Sequence, residues 1–358
     1  MVILDIRLDN IYSFVNFELN FSYPKKIVNS LILSEHLPGH PNFRYKKAVI
    51  LMGTNASGKT TLGKALYHIT AYLRTGNPAE LMHLRGYDDR PGSFSIDLVN
   101  NKNCLERYEG IIDADGLSIR CYSAEIGEKD SYEKVRSRLK ECVPPEGGIG
   151  VLPCRFAYPD IAGTVSTAGM DMEQLLTVLR AVLGTLDPSL QDISISKDLK
   201  KSFIIRRKGE EIIIQDGKLL NKEALSSGTI EGIDVALFLA EIMQGKGCFY
   251  YCDEHFSYIQ SDIEKRIFGI MVEHLGDYDQ LIFTTHNTDM LDLNLPKHAY
   301  AFLRKEPDNN GDYQISVVYA SEFLKRNTDS IRCAAENNIF SSLPDDSLLD
   351  QLDREQQA

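Results

Sequence analysis

The sequence predicts an α/β fold organised around a phosphate-cradling loop, and three observations predict it. A strand-length apolar run at 47–52 leads directly into the glycine-bearing loop at 53–60 and then into a helical pattern. A second run, 248–252, ends in the adjacent acids Asp253 and Glu254. From residue 225 onward, helix and strand patterns alternate, as in a sheet covered by helices.

The chain of 358 residues is long enough for one large domain or two ordinary ones. No apolar run approaches the roughly 20 residues needed to span a bilayer. The N-terminus lacks the basic start, apolar centre and small-residue cleavage site of a secretory signal. A cytoplasmic protein with no membrane partner is therefore expected. With 39 basic and 51 acidic residues the net charge is −12. That argues against a generic DNA-coating protein, because neutralising phosphates needs concentrated Lys and Arg. Seven cysteines include no C-x-x-C pair and read as buried free thiols.

The first 23 residues alternate as two short strands, with Ile3, Leu4, Ile6 and Leu8, then Phe14, Phe17, Leu19 and Phe21. After the strand at 47–52 and its loop, Leu62, Ala65, Leu66, Ile69 and Leu73 recur at helical spacing until Gly76-Asn77-Pro78 breaks the helix. Residues 93–126 read as a β-meander turning at Asn100-Asn101 and around Asp115-Gly116. A short charged helix is expected at 131–142 and a Pro/Gly loop at 144–148. A helix is expected at 171–184, and a hairpin over 202–220 turning at Gly209, with a second turn at Asp216-Gly217. The acidic tail from Asp345, with Leu348, Leu349 and Leu352, reads as a short amphipathic helix or a disordered end.

Gly53-Thr54-Asn55-Ala56-Ser57-Gly58-Lys59-Thr60 satisfies G-x-x-x-x-G-K-[ST] between a strand and a helix, and Thr61 follows it. Such a loop folds tightly, so that successive N–H groups face phosphate oxygens. Lys59 would reach the β- and γ-phosphates of ATP, and the Thr60 hydroxyl would coordinate Mg²⁺. Asp253 and Glu254 complete a Walker B arrangement, in which Asp253 holds Mg²⁺ through water and Glu254 polarises the attacking water.

Leu225-Ser226-Ser227-Gly228-Thr229 precedes a helical run containing Val235, Leu237, Phe238, Leu239 and Ile242. Hydroxyls and a glycine at a helix N-terminus make an anion site. Ser226 or Ser227 would equally cap any helix. Leu281-Ile282-Phe283-Thr284-Thr285-His286 is a strand ending in a histidine, whose order after the other motifs points to a γ-phosphate sensor.

Together these motifs, in this order, resemble the ATPase heads of the ABC type: P-loop, L-S-S-G-T signature, Walker B with a catalytic Glu, and switch His. The G-x-N-x-S-G-K-T loop, the opening Asn10-Ile11-Tyr12-Ser13-Phe14 and the S-S-G-T form are similar to the SMC/recombination-repair and OLD-like branch. Thr284-Thr285-His286-Asn287-Thr288-Asp289-Met290-Leu291-Asp292, and the strand-turn-strand through Gly311, resemble stand-alone bacterial ATPases of antiphage systems. The resemblance implies a P-loop NTPase with an N-terminal antiparallel β layer and an inserted α/β lobe carrying the signature. It also implies a head-to-tail dimer sandwiching two ATPs. Ser226, Ser227 and Gly228 would act in trans, and Lys59, Thr60, Asp253, Glu254 and His286 in cis. A D-loop would fall near Phe256-Ser257-Tyr258. Two positions depart from the branch: Tyr12 replaces a basic residue, and no Q-loop glutamine follows the first helix, where the strand at 94–98 takes that place.

The expected organisation is an ATPase core from 1–75 and 225–325, an inserted lobe at 76–224, and an extension at 326–358. Lys197, Lys200, Lys201, Arg206, Arg207 and Lys208 form one basic cluster, and Lys134, Arg136, Arg138 and Lys140 another; both are diluted by neighbouring acids. They fit either nucleic-acid contact or solvated surfaces. Asp113-Ala114-Asp115 reads as a hairpin turn rather than a metal pair, and the residues after His286 are too few for the nuclease domain of some relatives. Three uses follow. The chain is a defence ATPase governing a separately encoded effector or toxin, a DNA-repair or chromosome-organising ATPase, or an ATP-binding scaffold with little turnover.

Overall fold

The computed structural model describes every residue except 29, 146, 151, 159–168, 221–224, 308–312, 327 and 344–358. The acidic tail from Asp345 and the turn at Gly311 therefore lie outside the described residues. The first half runs β1 (Val2–Asp9), β2 (Phe17–Asn20), β3 (His36–Leu37), β4 (His40–Arg44), β5 (Ala48–Met52), α1 (Lys59–Thr75) and α2 (Ala79–Met82). It continues through β6 (Gly92–Val99), β7 (Cys104–Ile112), β8 (Leu117–Glu125), α3 (Tyr132–Arg136), β9 (Lys140–Cys142) and β10 (Cys154–Ala157). Then come α4 (Met172–Leu186), β11 (Asp192–Ile195), β12 (Ser202–Arg207), β13 (Glu210–Gln215), β14 (Lys218–Leu219) and α5 (Ser227–Ile242). The chain closes with β15 (Phe249–Asp253), α6 (Ser261–Glu273), β16 (Gln280–Thr285), β17 (Tyr300–Pro307), β18 (Tyr313–Tyr319), α7 (Ala320–Phe323) and α8 (Ile331–Glu336).

Two six-stranded sheets dominate. One is ordered β2-β1-β6-β7-β8-β9 and is antiparallel throughout. The other is ordered β10-β15-β16-β5-β17-β18 and is parallel except at β18. Strands β5, β15 and β16 are buried at every position, which is why they read as continuous apolar runs rather than alternating ones. One face of the parallel sheet meets α1 and the antiparallel layer through Val49, Leu51, Leu62, Leu66, Ile282 and Ile6. The opposite face packs on α4, α5 and α6. Helix α5 is buried on nearly all sides, so its sequence shows no polar stripe.

Buried polar side chains stitch the layers. The Gln280 side chain accepts from Ile3 N–H (2.9 Å) and donates to the carbonyls of Ile3 (3.0 Å) and Lys46 (3.2 Å), beside the register shift in β1. Lys46 donates from Nζ to the carbonyls of Asn20 (2.7 Å) and Ser22 (3.1 Å) and lies 3.7 Å over the Tyr319 ring. Asn10 donates to the carbonyls of Tyr87, Arg90 and Pro91 and accepts from Tyr87 N–H, which makes it a clasp for the chain entering β6.

Several expectations change. The helix expected at 131–142 stops at Arg136, and Lys140–Cys142 instead pairs with β8, placing Cys142 opposite Cys121. An open sheet edge offers backbone partners that a five-residue helix cannot match. The segment 76–224 contributes strands to both main sheets. Its strands β6–β9 extend the sheet begun by β1, and β10 pairs with β15 beside the phosphate-loop core. Helix α4 and the small β11–β14 sheet stand outside the two main sheets, against α5. All seven cysteines are free, but only Cys121, Cys248 and Cys252 are buried, and Cys333 is exposed.

Three members of the basic clusters hold counter-ions. Arg206 pairs with Asp192 (3.0 Å) and Glu211 (2.9 Å), and Lys134 and Arg138 both pair with Asp130. Asp113 accepts from the N–H groups of Asp115 and Gly116, the hairpin turn expected there.

Candidate functional site: a phosphate loop facing paired acids

The loop at 53–58 leaves the C-terminal end of β5 and enters α1. Gly58 at φ 105° makes the entry, a conformation that a side chain at this position would strain. Helix α1 has no side-chain cap at its N-terminus and no acid in its first turn, so its free N–H groups face the loop uncompensated. The Ser57 hydroxyl is buried without a hydrogen-bond partner. An unsatisfied buried hydroxyl beside an open helix N-terminus fits a phosphate group. Asn55 and Ala56 are exposed at the loop tip, whereas Thr54 and Thr61 are half-buried.

Lys59 is buried. Its ammonium donates to the carbonyls of Gly53 (2.6 Å) and Thr54 (3.0 Å) and lies 3.0 Å from Glu254 Oε1. Thr60 donates its hydroxyl to Asp253 Oδ2 at 2.6 Å, bridging α1 to the end of β15. Thr284, from the neighbouring strand β16, donates to Asp253 Oδ1 at 2.7 Å. Asp253 is fully buried, and desolvation raises its pKa against these two hydrogen bonds. A hard oxygen set of one hydroxyl and one carboxylate beside a phosphate loop fits Mg²⁺ bound jointly with nucleotide phosphates.

Glu254 follows with φ 44°, an uncommon conformation for a residue with a side chain. Its N–H is held by the Thr284 hydroxyl (3.0 Å) and the Thr284 carbonyl (3.2 Å). His286 approaches from the end of β16, with Nδ1 3.8 Å from Glu254 Oε1 and 60% of its side chain exposed. Glu254, Ser257, Glu264, Thr285, His286 and Asn287 are among the residues that line a cavity of about 260 Å³. Lys59, Thr60, Asp253, Glu254 and His286 thus converge on the C-terminal ends of β5, β15 and β16, where ligands bind in open α/β sheets.

The signature residues stand apart from this cavity. Ser226 is the N-cap of α5, accepting from Thr229 N–H at 3.2 Å, and its hydroxyl also lies 2.7 Å from that of Thr229. Capping and exposure coexist here, because Ser226 and Ser227 both face solvent and Gly228 is half-buried.

Sequence reasoning missed three contributors. Thr284 bridges Asp253 and Glu254; its signal was a hydroxyl within an otherwise apolar strand beside the acids. The Tyr251 hydroxyl donates to the Lys59 carbonyl at 2.6 Å, tying β15 to the start of α1. Glu264 on α6 accepts from Thr285 (3.1 Å) and Asn287 (2.6 Å), the residues on either side of His286, and burial raises its pKa. Tyr12, in the place of a basic residue, donates its N–H to the Leu84 carbonyl, and the strand at 94–98 is an internal strand of the antiparallel sheet.

No family model and no curated protein matches the sequence. Solved structures do. An SMC head bound to the C-terminal winged-helix domain of ScpA is 13% identical, with 90% of this chain and 100% of that one covered and a TM-score of 0.51. The SMC head domain from Thermotoga maritima is 14% identical over 89% of this chain and 99% of that one, TM-score 0.46. The recombination mediator RecF with ATP is 11% identical over 89% and 95%, TM-score 0.46. The chain shares the fold of the ScpA-bound SMC head, a P-loop NTPase fold with an antiparallel sheet set on a parallel one. No helix among the described residues is long and apolar enough to cross a membrane.

Proposed function

We propose that the protein is an ABC-type ATPase that hydrolyses ATP to ADP and phosphate as a head-to-tail dimer or larger assembly. The observation that carries this reading is the convergence of Lys59, Thr60, Asp253 and Glu254 at one uncapped helix N-terminus. The loop N–H groups and Lys59 bind the phosphates. Thr60 and Asp253 would hold Mg²⁺, which when bound neutralises charge on the β- and γ-phosphates. Glu254 orients the attacking water and draws its proton, while His286 contacts the γ-phosphoryl group from the other side of that carboxylate. In this reading Ser226, Ser227 and Gly228 of one copy complete the site of the other, supplying donors opposite Lys59 as charge develops.

The assembly would act as a nucleotide-driven switch, closing with ATP and opening after hydrolysis. Its use, in this proposal, is to sense, scaffold or restrain a separately encoded effector in bacterial antiphage defence. The counter-ions held by Arg206, Lys134 and Arg138 support this reading over a DNA-binding role.

The test is ATP turnover and solution mass of wild type and Glu254→Gln. Wild type should hydrolyse slowly. The variant should lose turnover and hold ATP more tightly, because its amide no longer competes with phosphate for Lys59, and it should accumulate ATP-dependent dimers. A variant that hydrolyses at the wild-type rate, or assembly indifferent to ATP, overturns the mechanism. ATP-dependent, salt-sensitive DNA binding would replace the effector reading with the repair one.

A further inference from the structure

One side chain joins the signature helix to the loop that follows Glu254. Glu231 lies one turn into α5 and is only 7% exposed. Its two carboxylate oxygens accept separate hydrogen bonds, from Ser257 N–H at 3.0 Å and from Tyr258 N–H at 2.8 Å. Burial raises its pKa, and those two bonds oppose the rise. Ser257 continues the connection, donating its hydroxyl to the Glu254 carbonyl at 2.9 Å.

The backbones also touch. A Cβ on Gly228 would lie 2.9 Å from the Tyr258 carbonyl oxygen, so only a glycine lets the signature turn approach this closely. Tyr258 itself is 69% exposed, on the outer side of the same loop. Glu254 sits at the far end of the connection in its left-handed conformation. Such a conformation persists only where its surroundings over-determine it. Thr284 fixes Glu254 from one side, and Ser257 fixes it from the other.

We propose that Glu231 is a positioning residue that locks the signature turn and Glu254 into one unit, so that nucleotide engaged by Ser226, Ser227 and Gly228 is felt at Glu254 of the same chain. The proposal rests on the ATPase reading above. It gives the two sites of a dimer a physical connection. The signature of one copy touches the nucleotide of the other, and Glu231 carries that contact back to the first copy's own water-orienting carboxylate. Nothing in this role touches substrate, so its signature is a loss of rate without a loss of nucleotide binding.

Glu231→Ala and Glu231→Gln should be compared with wild type for kcat, KM, ATP affinity and thermal midpoint. In Glu231→Ala, kcat should fall roughly 10- to 100-fold, the range for removing hydrogen bonds to a charged group, while KM stays within about twofold. Glu231→Gln keeps one carbonyl acceptor for one of the two N–H groups and should retain an intermediate rate, which also covers the case in which Glu231→Ala fails to fold. Unchanged kcat in either folded variant overturns the proposal. So does a fall in rate that only tracks the fraction of folded protein. If wild type shows no Glu254-dependent turnover, the ATPase reading itself falls and takes this proposal with it. If wild type turns over and the Glu231 variants match it, only the role of Glu231 is lost.

Discussion

Gly63→Ala tests whether the seat of α1 on β15 sets nucleotide affinity. Gly63 lies one turn beyond Lys59, facing the ring of Tyr251. A Cβ there would sit 2.6 Å from Tyr251 Cε1, 2.9 Å from its Cδ1 and 3.1 Å from Tyr158 Cε1. Carbon atoms pack at about 3.5–4.0 Å, so a ring must retreat by roughly 1 Å. Tyr251 is fully buried and anchored by its hydroxyl to the Lys59 carbonyl at 2.6 Å, so it cannot swing aside freely. Alanine gains up to about 1 kcal/mol in helix propensity, whereas overpacking costs about 1–3 kcal/mol. The clash wins, and a net loss of about 1–2 kcal/mol is expected in urea unfolding. Moving α1 off β15 also stretches the 2.6 Å Thr60–Asp253 bond, so affinity for Mg-ATP should fall by about tenfold, the equivalent of one hydrogen bond to a charged group. Gly184→Ala is the control. It lies within α4 with no atom within 4 Å of the added methyl, and it should stabilise. The reasoning is refuted if Gly63→Ala behaves like Gly184→Ala in both unfolding and nucleotide titration.

Two other perturbations separate chemistry from architecture. Thr284→Val keeps the shape of β16 but removes the donor to Asp253 Oδ1 and the side-chain acceptor for Glu254 N–H, which keeps the Thr284 carbonyl; the buried carboxylate oxygen then lacks this donor, at a cost of about 1–3 kcal/mol. Turnover should fall and half-maximal activity should need more Mg²⁺; a Mg²⁺ titration matching wild type would exclude this role. Burial lowers the Lys46 pKa from 10.5 to about 7. Unfolding therefore takes up a proton between those values, and wild-type stability falls as pH drops through that window. Relative to wild type, Lys46→Met should gain about 1.4 kcal/mol for each unit between pH 9 and pH 7, read by urea unfolding, with no further gain below. A pH-independent difference would refute it.

The residues of the candidate site stand out in the sequence more plainly than the strand pairings around them. A phosphate loop must be contiguous, because successive N–H groups cradle one phosphate, so 53–60 announces itself. Asp253 and Glu254 are legible because an apolar parallel strand ending in two acids has few other uses. Partners across the sheets are a different matter. Nothing in the periodicity of 92–125 says that this meander joins β1 through β6, and nothing local at 140–142 says that β8 needs an edge strand. Glu231, Glu264 and Gln280 are ordinary polar letters until folding buries each against distant backbone or hydroxyl groups. Ser226 was ambiguous because a helix cap and an anion site use the same hydroxyl, and its exposed capping geometry leaves room for both.

The arrangement of donors explains why a single copy would be an incomplete catalyst. Lys59 and the N-terminus of α1 would address a nucleotide from one side only, and the described residues lining the cavity beside Glu254 and His286 include neither the Ser226 nor the Ser227 hydroxyl. A transferring phosphoryl group spreads charge over three equatorial oxygens, so donors on one side leave the opposite charge to water. In the dimer proposed here, the exposed Ser226 and Ser227 of a second copy would take that water's place. Hydrolysis would then be conditional on assembly, and assembly on ATP. The conditionality costs no extra domain. It would follow from placing the turn at Ser226, Ser227 and Gly228 on the surface while rooting it, through Glu231, in the loop beside Glu254.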